Sequence, residues 1–259
     1  MLSFNNSYLL IFLVIYAIYH VLQGGTRSIQ ETLFILPGLI IALTLHEYAH
    51  AKMADKLGDP TPEAQGRITL NPLAHLDPMG TICLLFAGFG WGKPVQVNPS
   101  NFRQPTKDEA KVAAAGPIMN FIIAIVSFAI YLLILVLLIK TKNYTSVTEF
   151  DSVRGIFVNN IGFNSKIEII LSIIQLAIFT NISLGLFNLL PFPPLDGSKI
   201  FRAILKGKAR EFIYTLENYS FIIIAVLYFT SLPAVLISPL FDLIRLGMHN
   251  FTNMIINII

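Results

Sequence analysis

His46 and His50 stand four residues apart in the run His46-Glu47-Tyr48-Ala49-His50. On an α-helix that spacing puts both imidazoles on one face, a turn apart, where they can share a metal ion. Glu47 adjoins the first imidazole, placed to take a proton from an attacking water. The preceding run, Leu33 to Leu45, has no charged residue. Ionisable groups in such a segment are costly in lipid, so they mark function by default. The chemistry to expect is metal-assisted hydrolysis inside or beside a membrane.

Two histidines are too few. A catalytic zinc usually has three protein ligands and one open position. The best third candidate is Asp196, in Asn188-Leu189-Leu190-Pro191-Phe192-Pro193-Pro194-Leu195-Asp196-Gly197. Three prolines remove backbone donors and force an extended path directly after an apolar run. Irregular backbone at membrane depth is tolerated where it is buried in protein or lines a watery cavity. Gly197 lets the chain approach closely behind the carboxylate. The bland alternative for Asp196 is the N-cap of the following helix. His75, in Asn71-Pro72-Leu73-Ala74-His75-Leu76-Asp77-Pro78, is a weaker candidate for a gate or outer partner of the metal. Asp77-Pro78 reads as an N-cap followed by proline at the first helical position.

The whole chain is built to hold such a site in lipid. Its 259 residues are 54% hydrophobic and 13% charged, with mean hydropathy +0.68; soluble domains carry about 25% charged residues. The net charge of +3 argues against a nucleic-acid surface, so the basic residues serve as topology markers. The single cysteine, Cys83, cannot form an internal disulfide. No cleavable signal peptide is convincing, and Tyr8 to Leu22 reads as a retained span.

A transmembrane helix needs about 20 apolar residues. Candidates are Tyr8–Leu22, Thr32–Met53, Val112–Ile139, Ile167–Leu190 and Phe221–Leu246, the last kinked or split at Pro233 and Pro239. Met79–Phe89 is about half a span long and contains glycines, as a re-entrant hairpin would. If it does not cross, the Lys and Arg residues from Lys52 to Lys111 and from Lys199 to Arg210 share one side. The split is then 12 to 5, against 10 to 7 if it crosses. The sharper asymmetry favours re-entry and brings the ends of three long helices to one cytosolic face. Arg67–Leu70 and Val95–Asn98 alternate like short strands. The expected fold is an all-α polytopic membrane protein of about five to six transmembrane helices, with a re-entrant segment and short β-strands near the active site. The organisation expected is an extra transmembrane helix over 1–30, a core over 31–212, and a C-terminal helix or kinked helix pair over 213–259.

With both motifs in hand, the chain resembles the site-2 protease family of intramembrane zinc metalloproteases, in its minimal prokaryotic form without accessory soluble domains. The resemblance runs from about Leu33 to Ile204 through an ordered series: the His46–His50 run, Gly58-Asp59-Pro60-Thr61, Gly66-Arg67-Ile68-Thr69-Leu70-Asn71-Pro72, His75 to Thr81, Gly90 to Val95, Ala115-Gly116-Pro117-Ile118-Met119-Asn120, and Asn188 to Gly197. Ser198 departs from the second glycine that often follows Asp-Gly in the family. The resemblance implies that His46, His50 and Asp196 bind one Zn2+ per chain and that Glu47 is the general base. It implies a substrate that is a transmembrane helix of another protein, cut within or near the bilayer of the cell membrane. It also places Asn120 and Asn188 along the site, where a carboxamide holds substrate backbone or steadies an oxyanion; helix–helix hydrogen bonding is the competing role. A homo-oligomer is left open, and no nucleic-acid partner is expected.

The substrate helix must unwind before attack, since its own hydrogen bonds shield its backbone. An unpaired edge at Val95–Asn98 would receive it by strand addition. Two other readings compete. One is a membrane zinc peptidase with Glu211 or Glu217 as third ligand. The other is a non-proteolytic metal-binding membrane protein, a transporter or an inactive adaptor; a transporter is expected to carry repeats and a pathway of sites, and the sequence has one cluster and no repeat.

Overall fold

A computed structural model of the protein describes residues 33–81, 91–141 and 166–258. The first expected span, Tyr8–Leu22, and most of the expected re-entrant segment lie outside the described residues, as does Cys83. Helix α1 (Leu33–Lys56) is followed by a short α2 (Thr61–Ala64) and then by α3 (Pro105–Lys140) and α4 (Lys166–Asn188). A proline-rich turn leads to α5 (Asp196–Ile204), α6 (Lys208–Glu217), α7 (Ser220–Phe229) and α8 (Leu232–Ile258). Among the described residues, α1, α3, α4 and α8 are long and apolar enough to cross a membrane.

The core is a seam between α3 and α4. Ala124, Tyr131, Leu135 and Leu138 of α3 meet Leu171, Ile178, Ile182 and Leu186 of α4. The outer faces stay apolar: Ile118, Ile122, Ile125 and Leu133 are about half exposed, as lipid-facing residues of a span should be. Helix α1 lies against α4 through small residues. A Cβ on Gly38 would come within 2.7 Å of Ala177 Cα, so only glycine admits this approach. The C-terminal end of α1, the N-terminal end of α3 and the turn after α4 converge at one end of the bundle, where His50 meets the Val112 carbonyl and Asp196 meets both histidines.

Two expectations change. Of the kinked and split forms expected for Phe221–Leu246 the split one is found, but the break is at neither proline. The chain breaks at Thr230, which is extended, and the second helix continues to Ile258. Pro233 falls in the first turn of α8, where a missing N–H costs nothing, and Pro239 lies within that helix. The expected short strands also do not form. Among the described residues the sole pairing is an isolated antiparallel bridge between Leu76 and Gly92. Val95–Asn98 is extended, but its Val95 and Asn98 N–H groups donate to the carboxylates of Glu47 and Asp59 (2.9 and 2.7 Å), so no neighbouring strand takes them. Arg67 follows a turn closed by Gly66 at φ +65°, and its N–H donates to the Pro62 carbonyl, which bends the chain away from a strand path.

Asp77 caps the helical turn at residues 78–81 as its Asp-Pro sequence predicts, accepting the Gly80 N–H at 2.8 Å. Asp59 is the stronger anchor. Fully buried after the end of α1, it accepts from the N–H and hydroxyl of Thr61, the Asn101 amide and the Asn98 N–H. It thereby ties the segment leaving α1 to the turn that leads into α3.

Candidate metal centre and its surroundings

The i, i+4 spacing places His46 and His50 on one face of α1, as expected. Their ring centroids are 4.6 Å apart, nearly perpendicular, with the two Nε2 atoms separated by 3.0 Å. Both rings are buried. Each is oriented through its other nitrogen: His46 Nδ1–H donates to Asn120 Oδ1 at 2.6 Å, and His50 Nδ1–H to the Val112 carbonyl at 2.7 Å. These bonds fix the tautomer in which both Nε2 atoms carry lone pairs.

Asp196 comes to the same point from 146 residues away. Its Oδ2 lies 3.2 Å from each Nε2 and has no hydrogen-bond partner although buried. It is not the N-cap of α5: Leu195 holds that position, without a side-chain cap. Three potential ligand atoms thus converge. Lone pairs this close repel unless a metal ion or a proton lies between them, and two imidazoles with one carboxylate are a donor set suited to zinc. Among the described residues, His46, His50 and Asp196 form the one group of three such ligands. Glu211 and Glu217 are not part of it, and Glu217 instead pairs with Arg202 at 2.5 Å.

The approach depends on two glycines. A Cβ on Gly116 would collide with His50 Nε2 and lie 2.6 Å from His46 Cε1, so α3 can back the imidazole pair only with glycine there. A Cβ on Gly197 would strike the Leu189 and Leu190 carbonyls, so the proline-rich turn folds tightly behind Asp196. Glu47 sits on the same turn of α1. Its Oε2 accepts the Val95 N–H at 2.9 Å, and the Arg67 guanidinium is 4.0 Å away.

Of the two asparagines expected along the site, Asn120 departs from substrate contact. Asn120 is fully buried. It accepts from His46 and donates to the Ala42 carbonyl (3.2 Å) and to Asn181 Oδ1 (3.0 Å), so neither amide hydrogen is free for an oxyanion. Its place is behind the metal ligand. Asn188 donates to the Leu184 carbonyl within α4 and is only partly buried, beside the proline-rich turn. His75 is fully buried outside the ligand cluster, with Nε2 donating to the Thr69 carbonyl at 2.8 Å. Its carbonyl takes the Lys93 N–H at 2.7 Å, so it braces the loop.

Comparison with known proteins now bears on this geometry. The sequence pattern of "Peptidase family M50" matches residues 34–231. The chain belongs to peptidase family M50. This is the site-2 protease family, and the protein is a zinc metalloprotease and a membrane protein. The chain is 38% identical over 220 residues to "Putative zinc metalloprotease YwhC" of Bacillus subtilis, covering 83% of this chain and 91% of that one. It is 27% identical over 202 residues to "Putative zinc metalloprotease Rip2" of Mycolicibacterium smegmatis, covering 76% and 67%. No solved structure matches it significantly.

Within this M50 chain, three contributors escaped the sequence. Asn181 supports Asn120 across 61 positions; a polar residue in an apolar span was its visible signal. Gly116 was legible as a motif residue but not as a seat for imidazoles. Arg67 was counted as a topology marker, yet it is 4% exposed.

Proposed function

We propose that this M50 protein hydrolyses peptide bonds within or near transmembrane helices of other membrane proteins, as a multi-pass protein of the cell membrane. The observation that supports it is the convergence of Asp196 Oδ2 with both Nε2 atoms at 3.2 Å, on helices apolar enough to lie in a bilayer. His46, His50 and Asp196 hold the zinc. Bound there, zinc lowers the pKa of its water to about 7 and polarises the scissile carbonyl.

The chain's own groups do the rest. Asn120 and the Val112 carbonyl keep both imidazoles turned toward the metal. Glu47 takes a proton from the attacking water and returns it to the departing nitrogen. Burial strengthens each charge interaction by excluding water. Asn188, beside the Asp196 turn, holds substrate backbone. An apolar cleft of about 660 Å³ between α1, α4 and α8, lined by Leu39, Phe179, Phe187, Pro233 and Phe241 among others, suits a helix arriving sideways from lipid.

The test is reconstitution with a single-span substrate. Glu47→Gln is expected to keep zinc and lose cleavage, and Asp196→Asn to lose both. Full cleavage by a zinc-loaded Glu47→Gln protein would refute the assignment of the base. Cleavage only of soluble unfolded peptides would refute the intramembrane substrate.

A further inference from the structure

Arg67 is a buried cation that the mechanism above does not use. Its guanidinium spans two neighbouring backbone carbonyls: Nη1 donates to Pro94 at 3.0 Å and Nη2 to Lys93. The next residue along is Val95, whose N–H is the donor to Glu47 Oε2, and Arg67 Nη2 itself lies 4.0 Å from that oxygen. Apart from Arg67, this backbone is held by the Lys93 N–H, which donates to the His75 carbonyl at 2.7 Å, and by the Val95 N–H on Glu47. It belongs to no sheet, Pro94 has no N–H, and the Leu76–Gly92 bridge ends just before it. Arg67 is itself fixed from behind, since Gly66 at φ +65° closes the turn after α2 and the Arg67 N–H donates to the Pro62 carbonyl.

From this geometry we infer that Arg67 is a positioning residue for the general base, acting through the Lys93–Val95 backbone to present the Val95 N–H to the Glu47 carboxylate. With Oε2 committed to that N–H, the carboxylate is held in one orientation and Oε1 is left for the water. A planar guanidinium presents two N–H groups of fixed spacing to two successive carbonyls; an ammonium places its donors on one atom, with a shorter reach and no fixed fork. A base shifted by about 1 Å costs on the order of 10²-fold in rate, so the contact matters to turnover more than to substrate affinity. The inference rests on Glu47 being the base.

The experiment uses the full-length, zinc-loaded chain in detergent with a single-span substrate. Arg67→Gly is expected to keep its zinc and lower kcat about 10²-fold, with KM within about twofold. Arg67→Lys should not restore the rate, and ethylguanidinium added to Arg67→Gly should restore part of it. Val95→Pro deletes the N–H directly and should lower kcat to the same degree, with the double variant no slower than either single one. Wild-type kcat in folded Arg67→Gly or Val95→Pro overturns the inference, as does an additive double variant. Loss of zinc in every variant also overturns it, because Arg67 would then hold the fold as a whole. If Glu47→Gln is inactive while Arg67→Gly is fully active, this inference alone fails; activity in Glu47→Gln defeats the assignment of the base beneath it.

Discussion

His46 and His50 can act as a pair only because each ring is held from its far side. Asn120 holds one and a main-chain carbonyl the other, and Asn181 in turn supports Asn120. Removing the Asn120 bond frees the His46 ring to rotate and to change tautomer, so Asn120→Leu should weaken zinc binding about 10- to 100-fold, measured by competition with a chelator. Gly116→Ala should weaken it at least as much for a steric reason: the added methyl occupies the space of His50 Nε2 and His46 Cε1, and α3 or the rings must move. An Ile122→Ala control on the lipid-facing side of the same helix should leave zinc affinity unchanged. The histidine spacing was legible in the sequence as a metal motif. The glycine's need to stay bare was not, because the rings it faces lie 66 or more residues earlier.

Single elements are held at the site by buried polar contacts. Arg202 of α5 pairs with Glu109 of α3 and Glu217 of α6, and its guanidinium carbon stands 4.8 Å from the Tyr214 ring centroid. This staple fixes the short helix that begins with Asp196. Arg202→Ala removes the buried cation and leaves two partly exposed carboxylates without it, and should cost about 1.5–3 kcal/mol in thermal unfolding in detergent. Asp59 does the same for the loop after α1. Burial pushes its pKa up, but the hydrogen bonds from Thr61, Asn101 and Asn98 outweigh that and hold it below the ordinary carboxylate range. A depressed folded pKa means stability that is present above the unfolded value, about 3.9, and lost as pH falls through the folded one. Hydrogen exchange at the Asn98 amide should therefore stay protected from neutral pH to about pH 4 and rise below it. Unaltered protection in Asp59→Ala at pH 7 would contradict this role. The predicted strand at Val95–Asn98 failed for a related reason: alternation describes a chain that can pair, and here side-chain carboxylates take its N–H groups.

At the scale of the whole molecule, the metal should be part of the stability. Zinc binds the three convergent groups only in the folded chain, because unfolding separates Asp196 from the histidines. Chelation should therefore lower the thermal unfolding midpoint, with zinc at a thousand times its Kd contributing about 4 kcal/mol. Asp196→Ala should abolish this zinc dependence, and an equal zinc effect in both proteins would show the ion binding elsewhere. The sequence by itself determined that this is a membrane protein with a two-histidine helix, an adjacent glutamate and a distant Asp-Gly turn. Those properties are local: apolar run length, i, i+4 spacing and proline chemistry act within a few residues. Only the tertiary structure decided that Asp196 meets both imidazoles, that Asn120 stands behind the site with its amide fully engaged, and that Arg67 reaches the backbone beside Glu47. Each of these joins residues tens of positions apart, and no local periodicity encodes which distant side chain will fill a buried hydrogen bond.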